Sequence, residues 1–326
     1  MAPPFSFRST MPNPLRSYAA LLSAALLFSA CDSAPDSEVS PAADGTVELM
    51  SPSELPAPTL VTTLTGFEGP ESVYYDADQD VWFVSSFTGD AGERDANGTV
   101  ARVDGESFAV VDFTWAEATA EYPFHAGRGM TIQGDTLWVA DLDGVHGFHR
   151  ESGEQLVFVD LSALEPGFLN DVAASDDGTV WVTDTGGQSL IQVRPEAGVE
   201  VDIAARLGSP NGILWDSEAQ GFWIAPWSNP DTVFIWHPLS DAFSVGGVAT
   251  GASRIDGLVS WWAWIVAGAQ SDSAIHLIGA DGVHHKWFEL PGRPADIGID
   301  RGREYLAVPY VALNEVQIWA LPRPLR

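Results

Sequence analysis

The chain has 326 residues, enough for one large domain or two ordinary ones, and its 45% hydrophobic content is sufficient for a real core. Its 45 acidic and 15 basic residues give a formal net charge of -30, which argues against nucleic acid and anionic membrane surfaces as partners, because both need a basic face. A solvated acidic surface, as in proteins of salty habitats, explains this balance. The 31 glycines, 22 prolines and 13 tryptophans indicate many short strands and turns.

Residues 1–31 have the pattern of an export signal. Arg8 and Arg16 precede the apolar segment YAALLSAALLFSA, which is short for a membrane span and ends in small residues before Cys31. The run LLFSAC resembles a bacterial lipobox, in which the cysteine becomes the lipidated first residue, although it departs from the usual pattern by one position. A plain secretory signal with a stray cysteine, and a start at Met11, are the alternatives. Since Cys31 is the only cysteine, an intramolecular disulfide and a multi-cysteine metal site are excluded.

Residues 32–58 are rich in Ser, Pro, Ala and acidic residues and have little to bury. This composition predicts a disordered tether between the signal and a folded domain. We therefore expect an exported protein that is anchored to a bacterial membrane, on its periplasmic or extracellular face, only through a lipid at Cys31.

From residue 59 to residue 326 the chain repeats a strand pattern with an aromatic residue in the middle of each second strand. After a longer first interval, the repeats are about 42 residues apart, with about four strands each, which is typical of β-propeller blades. The aligned aromatic residues are Trp82, Trp138, Trp181, Trp223, Trp264 and Tyr305. The sequence therefore predicts an all-β, six-bladed β-propeller. Its last repeat has only three strands, so we expect Thr59 to Thr65 to complete that blade and close the ring.

A polar residue lies before the inner strand of each repeat. These residues are Glu71, Arg128, Asn170, Asn211, Asp256 and Asp296. Inner strands of a propeller surround a central channel, so equivalent positions should form a ring at one end of it. Four of them, Glu71, Asn170, Asn211 and Asp256, offer hard oxygen donors with a net charge of about -2, which suits Ca²⁺ best, with Mg²⁺ or Mn²⁺ possible and Zn²⁺ disfavoured. The alternative is that each is a turn residue that satisfies its own backbone.

The motifs PESVYYD, LNDVAASDDGTVWVTD, PNGILWD and IDGL resemble those of the regucalcin/gluconolactonase (senescence-marker-protein) family of six-bladed propellers, which includes the diisopropyl-fluorophosphatase type. The resemblance spans residues 60–321 and implies that the metal ligands of the family fall on Glu71, Asn170, Asn211 and Asp256. It also implies that the metal polarises a lactone or phosphoester and that Asp256 acts as base or nucleophile. The motif PESVYYD and the last repeat look closer still to an exported bacterial subgroup.

This chain departs from the sugar-lactone members of that family at Phe168, where they carry an arginine. Arg128 is then the basic residue that could orient a substrate, unless it forms a structural salt bridge. His125, in the inserted segment TWAEATAEYPFHAG, is a candidate acid or base, or an exposed loop histidine. Asp296 could anchor the metal ligands or serve as a second acid.

Two functions fit these features. The first is a Ca²⁺-dependent hydrolase of a small lactone, ester or phosphoester, with Asp256, Arg128 and His125 as catalytic residues. The second is a calcium-stabilised propeller that binds without catalysis. We expect a monomer with a small-molecule substrate, less polar than a sugar lactone because Phe168 replaces the arginine. Three tryptophans are expected to pack between blades and not to contact a substrate: Trp227, Trp261 and Trp262.

Overall fold

The computed structural model describes residues 48–193, 199–201, 208–228, 232–248, 253–279 and 281–325. The predicted signal peptide, its Cys31 and most of the predicted tether lie outside the described residues. The described residues form six four-stranded antiparallel sheets, each made almost entirely of consecutive strands. This arrangement confirms the predicted all-β, six-bladed propeller. In the part of the chain that the structure describes, no helix is long and apolar enough to cross a membrane.

Each sheet is one blade, and its first strand lies beside the channel. Blade one consists of β2 (Pro70–Asp76), β3 (Val81–Ser86), β4 (Thr99–Asp104) and β5 (Val110–Glu117). Blade two consists of β6 (Met130–Gln133), β7 (Thr136–Ala140), β8 (Gly144–His149) and β9 (Gln155–Asp160). Blade three consists of β10 (Leu169–Ala174), β11 (Val180–Asp184), β12 (Ser189–Val193) and β13 (Val199–Val201).

The remaining blades follow the same plan, except at the closure of the ring. Blade four consists of β14 (Pro210–Asp216), β15 (Gly221–Pro226), β16 (Thr232–His237) and β17 (Ala242–Val248). Blade five consists of β18 (Ile255–Trp261), β19 (Trp264–Ala269), β20 (Ala274–Ile278) and β21 (His284–Glu289). Blade six consists of β22 (Gly298–Asp300), β23 (Tyr305–Tyr310), β24 (Glu315–Ala320) and β1 (Thr59–Thr65). Short 3₁₀ helices occur at Pro52–Glu54, Ser162–Leu164 and Val311–Leu313.

The N-terminal strand closes the ring as predicted. β1 pairs antiparallel with β24, from Thr59 opposite Ala320 to Thr65 opposite Glu315. The pairing covers an edge of β24 that would otherwise be open, and it joins the two ends of the propeller.

The hydrophobic core is divided among the interfaces between blades. Buried apolar residues form six clusters, and each cluster joins two neighbouring blades. Between blades three and four, for example, Trp181 packs edge-on against Trp236, with ring centroids 4.8 Å apart. Alternate residues of each strand therefore face the next blade, and this packing fixes the inner strands around the channel.

The structure corrects two sequence-based predictions, the start of the folded unit and the alignment of the aromatic residues. Leu55, assigned to the tether, is buried in the cluster between blades five and six, and Leu49 forms an isolated bridge with Leu325. The folded unit therefore begins before residue 59.

The aromatic alignment is also shifted by one residue in some blades. In blade three, Trp181 lies opposite Ala173. The equivalent residue of blade one is Phe83, which lies opposite Tyr74, and not Trp82.

Candidate functional site at the channel mouth

A β-bulge recurs in the inner strand of four blades and places the predicted ring residues. The pairing with the second strand shifts by one residue between Pro70 and Ser72, Leu169 and Val172, Pro210 and Ile213, and Ile255 and Leu258. The residue that opens each bulge is a predicted metal ligand: Glu71, Asn170, Asn211 or Asp256. A bulge leaves its extra residue outside the ladder and redirects its side chain. The repeated bulge thus places four polar side chains at equivalent positions.

At some positions, the inner strands of neighbouring blades approach each other too closely to leave room for a Cβ atom. A Cβ atom on Gly212 would lie 2.2 Å from the backbone oxygen of Asp256, and one on Gly129 would lie 2.1 Å from Oδ1 of Asp171. Only glycine fits at such positions. The Asn-Gly of PNGILWD is therefore required by the close approach of two blades, in addition to any role in a turn.

The ring surrounds a cavity of about 510 Å³ at one end of the channel. Three predicted ligands, Glu71, Asn170 and Asp256, line this cavity. Asn211, which is fully buried, lies behind Asp256 and donates a 2.8 Å hydrogen bond from Nδ2 to its Oδ1. The structure thus brings the four predicted ligands to one site.

The oxygen atoms of this group are suited to a cation. Oε2 of Glu71 and Oδ1 of Asn211 are buried and have no hydrogen-bond partner among the described residues. Buried polar atoms are normally paired, so two unpaired oxygens at one site call for a missing partner. Within the described ranges, no group of three or more His, Cys, Asp or Glu side chains is arranged to hold a metal. Two of the four predicted ligands here, Asn170 and Asn211, are amides and fall outside that definition. Carboxylate and amide oxygens are nevertheless the donors that Ca²⁺ and Mg²⁺ take.

The electrostatics of the site also favour a cation. Burial raises the pKa of Glu71 well above its usual value, Asp256 and Asp296 raise it further, and Arg128 opposes the shift. Burial raises the pKa of Asp256 to about 6, against the hydrogen bonds from Asn211 and Gln270 and the charge of Arg128. Each shift means that the carboxylate is poorly compensated, and a divalent cation would supply the missing charge.

Arg128 lines the cavity, and the protein binds two of its three guanidinium nitrogens, while its buried Nε has no partner among the described residues. Its guanidinium donates hydrogen bonds to the carbonyl oxygens of Leu169 and Ala91 and lies 3.6 Å from the centroid of the Phe168 ring. Within the described residues it forms no salt bridge, so a structural ion pair is not what holds it. Phe168 provides the face on which Arg128 stacks.

His125 does not reach this cavity. It lines a separate pocket, with Asp143 and Phe158, and its Nδ1 accepts a 3.0 Å hydrogen bond from the backbone N–H of Ala96. The structure thus brings Asp256 and Arg128 together and leaves the third predicted catalytic residue apart from them.

The loop that leads from His125 to Arg128 is fixed by a buried carboxylate. Asp141 accepts hydrogen bonds from the backbone N–H groups of His125 and Ala126 and contacts Nε2 of His146 at 3.1 Å. Burial alone would raise the pKa of Asp141, but these hydrogen bonds and the charge of His146 hold it below the usual value. In blade three, Asp184 accepts hydrogen bonds from the equivalent N–H groups, those of Gly167 and Phe168, in the same way. Both aspartates therefore position a ring residue.

The sixth ring residue, Asp296, faces the other half of the channel. It lines a second cavity of about 240 Å³ together with Asp171 and Arg301. Ser72 Oγ donates to Oδ2 of Asp296 at 2.5 Å, while Asp171 accepts hydrogen bonds from the N–H groups of Val172 and Ile213. Asp296 thus differs from the predicted ring residues of the first cavity, because it lines the second cavity and binds the hydroxyl of Ser72.

Sequence reasoning missed Gln270 and misjudged Trp227. Gln270 lines the cavity and donates a 2.6 Å hydrogen bond from Nε2 to Oδ2 of Asp256. Trp227, predicted to pack between blades, lines the cavity instead. Trp261 is buried and stacks on Trp287, as expected, whereas Trp262 is 49% exposed. The signal for both missed residues is position: each directly follows the second strand of its blade.

Known proteins share this fold at low sequence identity. No protein-family model and no curated protein sequence matches this chain. Among solved structures, a gluconolactonase from Xanthomonas campestris is 17% identical, with a TM-score of 0.58, and the match covers 87% of this chain and 99% of that one. A calcium-binding regucalcin from Agrobacterium tumefaciens is 15% identical, with a TM-score of 0.63, over 83% of this chain and 95% of that one.

A virginiamycin B lyase from Staphylococcus aureus is 13% identical, with a TM-score of 0.55, over 80% of this chain and 99% of that one. The fold defines this protein as a six-bladed β-propeller, and a gluconolactonase and a calcium-binding regucalcin are among the solved structures similar to it. The resemblance expected from the sequence is confirmed at the level of the fold, which by itself supports several chemistries.

Proposed function

We propose that this protein is a metal-dependent hydrolase of a small lactone, ester or phosphoester, with its active site in the cavity at the channel mouth. The observation that carries the proposal is the pair of buried, unpaired oxygens, on Glu71 and Asn211, beside the carboxylate of Asp256. Such a set has hydrogen-bond capacity to spare and excess negative charge, and it opens to a cavity large enough for a small molecule.

Ca²⁺ is the cation that we propose, held by Glu71, Asn170, Asn211 and Asp256, with Mg²⁺ or Mn²⁺ as alternatives. The hard oxygen donors support this choice, as does the calcium-binding regucalcin among the structural neighbours. A divalent cation at this position supplies Lewis-acid polarisation of the substrate's carbonyl or phosphoryl oxygen.

Asp256 is the proposed base or nucleophile. It is held by amide N–H groups on both carboxylate oxygens, from Asn211 and from Gln270, so its orientation is fixed before a substrate binds. As base, it would take the proton of the attacking water on a remaining lone pair; burial raises its pKa to about 6 without metal, and a bound cation would lower that pKa again.

Arg128 is better suited to positioning than to substrate binding. Two of its guanidinium nitrogens donate to carbonyl oxygens and its face lies on the ring of Phe168, so most of the guanidinium is used by the protein, and only Nε has no partner among the described residues. The aromatic lining of the cavity suits a substrate with an apolar part. The sequence-based expectation of a substrate less polar than a sugar lactone agrees with the aromatic residues that line the cavity.

The lyase neighbours indicate another chemistry on the same fold. A variant of that lyase in which one histidine is replaced by alanine is catalytically inactive. Among the described residues that line the cavity of this protein there is no histidine. The site therefore favours hydrolysis at a carboxylate and metal centre.

The test is a panel of uncharged lactones, aryl and alkyl esters and phosphotriesters, assayed with Ca²⁺. Asp256→Ala should lower kcat/KM by about 10²–10⁴-fold, the usual contribution of a positioned base. Asp78→Ala is the matched control, because Asp78 is an exposed aspartate on blade one whose surface ion pair with Arg150 contributes little to stability. Equal turnover by wild type and Asp256→Ala for every compound would remove the enzyme proposal.

The second candidate is a calcium-stabilised binding propeller. It is favoured by one observation: the predicted catalytic set is incomplete in the cavity, because Asp256 and Arg128 line it and His125 lies in a separate pocket. Ca²⁺ binding by calorimetry with no turnover of any ester would select this function.

We infer from the sequence that the protein is exported and anchored through a lipid on Cys31. The support is the signal pattern and the lipobox-like run LLFSAC. Wild-type protein should partition with membranes, and Cys31→Ser should be released in soluble form. Equal partitioning of the two forms would contradict the anchor.

A further inference from the structure

A second set of residues lies at equivalent positions around the cavity. Phe87, Thr185, Trp227 and Gln270 each follow directly after the second strand of blade one, three, four or five. All four line the cavity. We name these four residues the upper ring.

The upper ring is held by one repeated backbone contact. The N–H of each member donates to the carbonyl oxygen two residues before the predicted metal ligand of the same blade. These bonds run from Phe87 to Gly69, from Thr185 to Phe168, from Trp227 to Ser209 and from Gln270 to Arg254, at 2.7–3.2 Å. Because the backbone is fixed in the same way in four blades, the four side chains enter the cavity from equivalent positions.

The two aromatic members stand on opposite sides of the cavity. Phe87 belongs to blade one and Trp227 to blade four, and in a ring of six blades these two are opposite. Trp227 is further held by Arg254, whose guanidinium lies 5.8 Å from the centroid of its ring. Phe168, the third aromatic residue that lines the cavity, has one face covered by Arg128. The cavity thus has several aromatic walls that the protein itself keeps in place.

The polar members of the upper ring are Thr185 on blade three and Gln270 on blade five, and these blades flank blade four, which carries Trp227. Gln270 is bound to Asp256, so the polar side of the cavity is also the side of the proposed reacting group. A molecule with a carbonyl at one end and a flat apolar body at the other matches this division.

We propose that the upper ring is a specificity site that binds an uncharged aromatic group of the substrate between the sides formed by Phe87 and Trp227. This deepens the proposed function and rests on it for the identity of the reaction. The recognition itself can be tested without turnover. Contacts with the rings of Phe87 and Trp227 give the preference for an aromatic group, and the carbonyl of the substrate is directed toward Asp256 and Gln270.

The probes are two lactams that have no ester to hydrolyse: 2-hydroxyquinoline in its lactam form, which is aromatic, and δ-valerolactam, which is not. Their binding to the Ca²⁺-loaded, full-length protein is measured by calorimetry. We expect the aromatic lactam to bind at least about tenfold more tightly, the effect of roughly one aromatic contact. Trp227→Ala should remove most of that preference and leave the affinity for δ-valerolactam unchanged.

The control is Trp262→Ala, which removes an exposed tryptophan from the hairpin between β18 and β19 and should change neither affinity. Phe87→Leu, on the opposite blade, provides a milder second variant should Trp227→Ala fold poorly, and it should reduce the preference in the same direction. The proposal is overturned if wild type does not prefer the aromatic lactam, or if neither variant changes the preference. A retained preference with no ester turnover would instead keep the upper ring and remove the hydrolase.

Discussion

The channel has an upper half, around the cavity of about 510 Å³, and a lower half, around the cavity of about 240 Å³. Both halves contain buried carboxylates, but these carboxylates have different surroundings. In the lower half, Asp171 accepts two backbone N–H groups and Asp296 accepts the hydroxyl of Ser72. In the upper half, Glu71 has a buried oxygen with no partner among the described residues, and so does the amide of Asn211. Carboxylates are buried in both halves, so burial and charge do not tell a structural carboxylate from a functional one. The unpaired oxygens of Glu71 and Asn211 in the upper half do make this distinction, because they can still bind a ligand.

The largest expected effect on stability lies in the lower half. Asp171→Ala would leave the N–H groups of Val172 and Ile213 buried without acceptors, at about 1–3 kcal/mol each. Urea denaturation should show a free energy of unfolding lower by roughly 2–6 kcal/mol. Asn170→Ala, one residue away in the upper half, should change it by less than about 1 kcal/mol, because no side-chain hydrogen bond to a described residue is lost. Equal losses would mean that the two halves do not differ in this way.

The next effect is stabilisation of the upper half by Ca²⁺. A cation that binds only the native state adds about 2.7 kcal/mol at a hundredfold excess over its Kd. Scanning calorimetry should show a rise in Tm with Ca²⁺ and its reversal by chelator. Asp256→Asn lowers the charge of the ligand set and should weaken binding more than Asp171→Asn, the same substitution in the lower half. No binding by the wild-type protein would refute the metal site.

Burial also raises the pKa values of Asp171 and Asp296 in the lower half, so only the part of the pH dependence that Ca²⁺ removes should belong to the upper half. The pKa of Asp256 is raised to about 6, so the folded protein holds this proton more tightly than the unfolded chain does. Without metal, the free energy of unfolding should therefore fall as the pH rises from about 4 through 6, by about 1.4 kcal/mol for each pKa unit. Saturating Ca²⁺ should remove this fall for Asp256. Denaturant titrations at pH 4.5 and 7, with Ca²⁺ or with chelator, would show whether the fall persists.

The smallest effect concerns the surface and should involve neither half of the channel. With a net charge of -30, repulsion between surface carboxylates should destabilise the fold in dilute buffer. Raising NaCl from 0.1 M to 1 M shortens the screening length from about 10 Å to about 3 Å and should raise the Tm. Asp256→Asn should show the same salt response as wild type. A flat profile in wild type would mean that the acidic surface has no part in stability.

The blade number and the four polar residues at the bulges could be predicted from the sequence because they repeat, and the closure because the last repeat lacks a strand. The aromatic alignment was less reliable: adjacent aromatic residues such as Tyr74, Tyr75, Trp82 and Phe83 leave the register open by one position. A polar residue directly before an apolar strand can be recognised without the exact pairing of that strand, but this pattern did not show that Asp296 lines the second cavity and not the first. Periodic features can therefore be predicted more securely than the side chain that fills each position.

The contacts of single side chains could not be predicted. Gln270 lies in the run GAQSDS, and nothing in that run distinguishes it as a partner of Asp256. Trp227 was interpreted as core because most buried tryptophans are, and only the fold shows that the end of each second strand faces the cavity. His125 lies only three positions before Arg128, yet the bend held by Asp141 directs it into another pocket. Such outcomes depend on contacts between blades that are distant in sequence.

The pairing of β1 with β24 also sets an order of events in the making of the molecule. The two strands are at opposite ends of the folded chain, so this contact spans nearly all of the sequence between them. Contacts of such long range are the slowest to form, and this one requires β24, which is synthesised after every other strand of the propeller. Until β24 is available, the sixth blade is incomplete and β1 has no strand to pair with. A ring built in this way closes only after all six blades have been synthesised.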